Sequence, residues 1–198
     1  MGTAFCVTVD GHFLTADHVV NPEVPRGPND EIHLAQIGSD GHTATLLGPC
    51  SIIDSSSSLD FAILQATLGT QRIQKYLEID YSARFEGEEV AICGYPLASV
   101  SPASPNDRSL FLDAKLRVAA GIISSQNNSN GKLTLEVDFP ILRGNSGGPL
   151  FSQDSGKVLG ISIATVAMSN EHNVTIGHLG IVRDIRALQS SLRKLGRV

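Results

Sequence analysis

The sequence predicts an all-β domain, and three observations carry that expectation. Apolar runs of strand length recur along most of the 198 residues. Turn-type pairs, Asp10-Gly11, Asp40-Gly41 and Asn130-Gly131, fall between successive runs as hairpin signals. Helical spacing is confined to one stretch near the end of the chain.

The elements follow in order. Phe5–Val9 and Phe13–Thr15 flank the first turn pair, and Glu31–Ile37 and His42–Leu47 flank the second. The Ser55–Ser58 run predicts a loop before the strand Phe61–Gln65, and Glu89–Cys93 is a further apolar strand. Pro96–Asp107, rich in Ser and Pro, predicts a surface loop. Leu116–Ser124 and Leu133–Val137 flank the third turn pair, and Pro149–Phe151, Lys157–Ala164 and Val174–Val182 complete the strands. Ile185, Leu188, Leu192 and Leu195 are spaced 3, 4 and 3 apart, one face of a helix that Gly196 would stop.

Composition bounds the function. With 41% hydrophobic and 18% charged residues, the chain is neither disordered, coiled-coil nor collagen-like. The 19 Gly, 9 Pro and absent Trp suit short strands and turns. A net charge of −5 argues against nucleic acid or anionic membrane as a partner. The five Lys/Arg against one Asp from Arg183 to Val198 are expected to form the solvated face of a packed helix. No apolar run approaches the roughly 20 residues of a membrane helix, and Met1-Gly2-Thr3-Ala4-Phe5 has no signal-peptide pattern. Cys6, Cys50 and Cys93 cannot build a disulfide framework, and no CxxC or Cys/His spacing suggests a metal. A cytoplasmic setting and no cofactor are therefore expected.

Three segments carry residue types that do chemistry together. Leu14-Thr15-Ala16-Asp17-His18-Val19-Val20 ends a strand at a histidine. Leu59-Asp60-Phe61-Ala62-Ile63-Leu64 opens a strand with an aspartate. Arg143-Gly144-Asn145-Ser146-Gly147-Gly148-Pro149 places a serine in a glycine-rich loop. A hydroxyl is a weak nucleophile and needs a general base, which imidazole supplies near neutral pH. A carboxylate fixes the imidazole tautomer, and glycines let backbone N–H groups converge on an oxyanion. Asp54 is the rival carboxylate, but it precedes the serine run instead of opening a strand. Asp17 is expected to be a turn residue, and His12, His33, His42, His172 and His178 structural or surface groups.

These segments, in the order His18, Asp60, Ser146, resemble those of chymotrypsin-fold (trypsin-like) serine peptidases, with the HtrA/Deg type the nearest likeness. Gly2-Thr3-Ala4-Phe5 resembles its glycine-rich opening strand. Gly94-Tyr95-Pro96, Ala120-Gly121-Ile122-Ile123-Ser124 and Lys157-Val158-Leu159-Gly160-Ile161 resemble its later landmarks. The resemblance implies two six-stranded β-barrels and a terminal helix: a first barrel over 1–93, a linker over 94–113, a second barrel over 114–182 and a helix over 183–196. It implies a serine endopeptidase acting on a protein or peptide, with His18, Asp60 and Ser146 as the triad. The oxyanion hole would lie at Gly144, Asn145 and Ser146, its donors the amides of Gly144 and Ser146. Pro140, Ile141 and Leu142, with Ile161, Ser162, Ile163, Ala164 and Thr165, would line the specificity pocket. No acid stands at the expected pocket base, so a small or medium apolar side chain is expected there.

The likeness has departures. The family has a strand ahead of the glycine-rich opening, so the first barrel is expected to lack that strand, to close differently, or to take the edge from a partner or further segment. Val19 follows His18 where secreted members have a disulfide cysteine, and no PDZ-like segment follows the peptidase part. Asn145 replaces the aspartate that pairs with a cleaved N-terminus in digestive members, so activation of that kind is not expected. Two other readings stay open: a pseudopeptidase acting as a binding module, and an esterase built on Gly144-Asn145-Ser146-Gly147-Gly148 as a G-x-S-x-G elbow. Against the elbow, Pro149 interrupts the helix that it requires, and the acid and histidine precede the serine.

Overall fold

The computed structural model describes residues 1–23, 27, 30–68, 73–102, 110–173 and 175–196. In its first half, strands β1 (Phe5–Cys6) and β2 (His12–Thr15) lead to the one-turn helix α1 (Asp17–Val20). Strands β3 (Ile32–Ile37), β4 (Ala44–Ser56) and β5 (Phe61–Ala66) follow. Together they form an antiparallel sheet in the order β1-β2-β5-β4-β3. Among the described residues the expected six-stranded first barrel is therefore a five-stranded open sheet, with β1 and β3 at its edges. β1 pairs over only two residues, Phe5 with Leu14 and Cys6 with Phe13, too short a ladder to carry the sheet around to β3.

The second half holds β6 (Glu89–Gly94), the hairpin of β7 (Ser99–Pro102) and β8 (Leu110–Asp113), then β9 (Arg117–Ser129) and β10 (Lys132–Val137). It continues with β11 (Pro149–Ser152), β12 (Val158–Ser169) and β13 (Thr175–Asp184). Six of these close a barrel in the order β10-β13-β12-β11-β6-β9. β6 lies inside that barrel, between β9 and β11, so the second unit starts at Glu89 and not after residue 113. Val90, Ala91 and Ile92 are all buried, so this run shows no one-sided alternation to say which unit owns it. The crossover is instead the stretch between Ala66 and Glu89. It is pinned by Leu77 N–H on the Cys6 carbonyl at 2.9 Å and by Val158 N–H on the Glu78 carbonyl at 2.8 Å. The stretch expected to be the linker carries the β7–β8 hairpin, and residues 103–107 of the expected Pro96–Asp107 loop lie outside the described residues.

Several strands run further than their apolar cores. β4 continues through Ser55 and Ser56, whose partners are Ala62 and Phe61, so half of the serine run is ladder and half is turn. β13 extends to Asp184, and the expected helix becomes a 3₁₀ turn (Ile185–Leu188), the one-turn helix α2 (Gln189–Leu192) and a second 3₁₀ turn (Arg193–Leu195). Asp184 caps the first of these by accepting from Arg186 N–H at 2.8 Å.

Strand periodicity sorts the side chains. Phe5, Leu14 and Ile63 share one face of the sheet with Val7 and Phe61, and they pack against Val158 and Ile161 of β12. Ile185, Leu188 and Leu192 of the terminal helical segment complete this core, so that segment floors both halves. Phe13, Ala62 and Leu64 point to the opposite face, where Ile32, Leu34 and Leu47 are only partly covered. Val90, Ile92, Ile123, Leu135, Leu150 and Val182 fill the closed barrel. The three cysteines are half-buried and unpaired, and burial pushes each thiol up. No helix among the described residues is long and apolar enough to cross a membrane.

Candidate active site

His18 sits on α1, immediately after β2, and Asp60 ends the turn that joins β4 to β5. Asp60 has φ 53°, in the left-handed region that Asp and Asn tolerate better than most residues. Its carboxylate faces the start of α1. Oδ1 accepts from His18 N–H at 3.1 Å, and Oδ1 and Oδ2 lie 3.0 and 2.9 Å from Nδ1 of the imidazole. This arrangement leaves Nε2 as the nitrogen facing away from the carboxylate. The hydrogen bond to Asp60 raises His18 above the ordinary histidine value against the opposing effect of burial. Burial pushes Asp60 up, but the two His18 bonds and the nearby positive charge of Arg183 outweigh it and hold the carboxyl below its ordinary value.

Arg183 is 5% exposed, although its surroundings in sequence predict a solvated basic face. Its Nε donates to the Leu59 carbonyl at 2.6 Å and a terminal nitrogen donates to the Leu133 carbonyl at 3.0 Å. Asp54 lies one ladder away from this arrangement, opposite Ile63, and meets Lys194 at 3.9 Å. Asp17, expected to be a turn residue, instead opens α1, is buried and accepts from the Asn21 side chain at 2.6 Å.

Ser146 lies in a loop whose peptides are bonded one after another. Arg143 O accepts from Leu97 N–H (3.0 Å), and Gly144 O accepts from the Thr3 hydroxyl (2.7 Å). Asn145 O accepts from Gly148 N–H (2.8 Å) and the Ser162 hydroxyl (2.6 Å), and Ser146 O accepts from Thr3 N–H (2.9 Å). Gly144 and Gly147 have φ 100° and 85°. A Cβ on Gly144 would come within 2.5 Å of the Tyr95 carbonyl, and one on Gly147 would collide with the Thr3 carbonyl and Thr15 Oγ1. Only glycine fits these two places.

The Asn145 N–H is committed to the Leu142 carbonyl at 2.9 Å, so of the three residues expected at the oxyanion hole this one is not a donor there. Among the described residues the N–H groups of Gly144 and Ser146 meet no acceptor. Two unengaged amides, the serine's own and the one two residues before it, are the kind of donors that an oxyanion requires. Asn145 is buried and its Oδ1 is unbonded, packed where a Cβ on Gly94 would lie 2.8 Å away.

Gly2 lies between α1 and the serine loop. A Cβ there would stand 2.6 Å from the Val19 side chain and 3.0 Å from Ser146 O. Among the described residues Ser146 Oγ is in no hydrogen bond with His18. Of the expected pocket residues, Ile161 belongs to the shared core, and the Ser162 hydroxyl bonds back onto the serine loop. Thr165 Oγ1 exchanges bonds of 2.7 Å with both N–H and C=O of Ile141, which is itself buried, whereas Pro140, Leu142 and Ala164 are exposed. Nearby, a cavity of about 1140 Å³ opens on the other face of the first sheet, lined by Gly2, Thr3, Leu34, Tyr95 and Val100 among others, but by none of the triad residues.

Sequence reasoning did not single out Thr3, Thr15, Leu97 or Arg183 as parts of the site. A buried Thr or Arg has no signature in a single sequence, since its partners are carbonyls that any residue supplies. Leu97, at φ 61°, carries no glycine or asparagine to advertise its turn.

Known proteins share sequence and fold with this chain. A probable periplasmic serine endoprotease, DegP-like, of Rhizobium meliloti is 27% identical over 190 residues, 94% of this chain and 31% of that protein. The chain spans less than a third of the length of the first curated relatives it matches. Two solved structures share the fold. The apo MamO protease domain of Magnetospirillum magneticum has TM-score 0.65 and 16% identity over 96% of this chain and 87% of that one. A serine endoprotease from Yersinia pestis has TM-score 0.62 and 22% identity over the whole of this chain and 59% of that one. Residues 2–161 match the trypsin-like peptidase domain, and the chain belongs to that family.

Proposed function

We propose that the chain is a serine endopeptidase working through His18, Asp60 and Ser146. The observation that carries this reading is the pairing of an Asp60 carboxylate bonded to both N–H and Nδ1 of His18 with two free amides beside Ser146. Ser146 Oγ attacks the scissile carbonyl while His18 Nε2 takes its proton, and the carbonyl oxygen becomes an oxyanion on the N–H groups of Gly144 and Ser146. Collapse of that intermediate breaks the C–N bond, and His18 passes the proton to the leaving amine. Water then repeats the sequence on the acyl-enzyme. Asp60 stays ionised and stabilises the imidazolium that forms in between. For specificity we propose a small or medium apolar side chain, since the wall at Ile141 offers no acid to a basic one; a peptide-library profile led by Lys or Arg would refute this.

A fluorophosphonate probe tests the activity. Wild type is expected to be labelled at Ser146, and Ser146→Ala is expected to resist. A second reading, a pseudopeptidase that binds without cutting, draws on the absence of a Ser146–His18 hydrogen bond. Folded wild type that resists the probe would decide for it, although resting peptidases often tighten this contact only with substrate bound.

A further inference from the structure

We infer that Thr3 is a positioning residue for the oxyanion-binding amides, an inference that rests on the serine-peptidase reading of Ser146. Thr3 is 5% exposed and sits outside the triad, yet every polar atom it carries is used at the active site. Its N–H donates to Ser146 O at 2.9 Å and its hydroxyl donates to Gly144 O at 2.7 Å. The same hydroxyl oxygen accepts from Tyr95 N–H at 3.2 Å, which fixes its one proton on the bond to Gly144. The Thr3 carbonyl accepts from the Thr15 hydroxyl at 2.8 Å, and Thr15 stands three residues before His18. One residue thus ties the two halves of the site together.

The geometry explains why those bonds bear on the oxyanion. In a trans peptide the C=O and N–H point in opposite directions, so the Gly144 and Ser146 amides are aimed by the bonds to Arg143 O and Asn145 O, and Thr3 holds the plane between them through Gly144 O. Glycine has no conformational preference to hold its own peptide planes, and Gly144 at φ 100° depends on outside bonds. Leu97 N–H fixes the plane before Gly144, and the Thr3 hydroxyl fixes the plane after it. Without the hydroxyl, the Gly144–Asn145 plane keeps only its Asn145 N–H bond to Leu142 O, and the link that sets the Gly144 N–H against that of Ser146 loosens. Thr3 therefore acts on the tetrahedral state and not on substrate binding.

The test compares Thr3→Val, which keeps the shape and deletes the hydroxyl, with Thr3→Ser, which restores it. Three readouts are taken on the full chain: fluorophosphonate labelling rate, kcat and KM on a peptide substrate, and affinity for a peptidyl boronic acid, whose adduct needs the oxyanion amides. Thr3→Val is expected to lower labelling rate, kcat and boronate affinity between about ten- and a hundredfold, less than outright loss of an oxyanion donor. KM is expected to move less than about threefold, and Thr3→Ser to recover most of the loss. Thr15→Val, which deletes the hydroxyl bonded to the Thr3 carbonyl and keeps the side chain's shape against Gly147, serves if Thr3→Val does not fold, with the same direction and a smaller loss expected. Wild-type rates in a folded Thr3→Val, or a loss confined to KM, overturn the positioning role alone. Failure of wild type to label at Ser146 overturns the peptidase reading and this role with it.

Discussion

Arg183 donates through Nε to the carbonyl of Leu59 at 2.6 Å, one residue ahead of the carboxylate that orients His18. The bond crosses from the second barrel to the first sheet. It holds the Leu59–Asp60 peptide at a residue whose φ of 53° would otherwise relax. Arg183→Met is expected to destabilise the fold by roughly 2–4 kcal/mol, because two buried carbonyls lose a charged donor. Asp60 also loses a favourable charge, so kcat falls while substrate affinity changes little. Urea unfolding and steady-state kinetics measure both, and a variant with wild-type kcat would remove Arg183 from the site.

The pH dependence has a defined sign. Asp60 lies below its ordinary 3.8 and His18 above its ordinary 6.5. Stability from His18 is complete below 6.5 and is lost as pH rises through the raised folded value; that from Asp60 is complete above 3.8 and is lost as pH falls through the depressed value. The pair therefore contributes most between about pH 4 and 6.5. Catalysis needs neutral His18, so kcat/KM is expected to climb with pH through a midpoint above the ordinary histidine value. Asp60→Asn should lower that midpoint and reduce kcat by as much as about 10⁴-fold. A pH–rate profile with the same midpoint in both proteins would contradict the pairing.

Two glycines separate steric from conformational cost. Gly144 and Gly156 both have positive φ, but a Cβ on Gly144 meets the Tyr95 carbonyl at 2.5 Å and one on Gly156 meets nothing within 4 Å. Gly156→Ala is expected to cost about 1 kcal/mol and leave activity alone. Gly144→Ala is expected to abolish activity to below about 1% of wild type, since the loop must shift and carry the oxyanion amides with it. Equal activities in the two variants would show that the loop tolerates displacement.

Leu192 is fully buried where the sheet, the barrel and the terminal helical segment meet. Leu192→Ala is expected to cost about 2–5 kcal/mol. Because the same core carries Leu14 and Phe61, next to the His18 and Asp60 segments, part of the loss should appear as reduced kcat in the folded protein. Denaturant midpoints with an unchanged slope would identify the effect as stability.

Much of the fold was legible in sequence, for identifiable reasons. The turn pair Asn130-Gly131 occupies two consecutive positive-φ positions, 54° and 79°, the signature of a type I′ hairpin. Glycines at 144 and 147 announced a loop no other residue could follow. The terminal leucines announced a buried face, yet their spacing could not show that 3₁₀ turns flank a single α-helical turn. β6 was misallotted because an apolar run buried on both faces belongs equally well to either neighbour. Closure of the first sheet failed as an expectation because it depends on ladder length at β1, which hydrophobic pattern does not encode. At the site, the three chemical residue types stood out by segment, whereas the residues that aim them did not, since Thr3 and Arg183 act on main-chain oxygens.

The shared core has a consequence for the order of events in synthesis. Phe5, Leu14 and Ile63, near the start of the chain, are floored by Ile185, Leu188 and Leu192, and the Asp60 turn is held by Arg183. A nascent chain that has already exposed His18, Asp60 and Ser146 still lacks that floor. Native contacts spanning so much sequence form late. On the peptidase reading, the site is expected to be complete only once this stretch of helix has emerged, so the growing polypeptide meets no hydrolytic chemistry of its own before then.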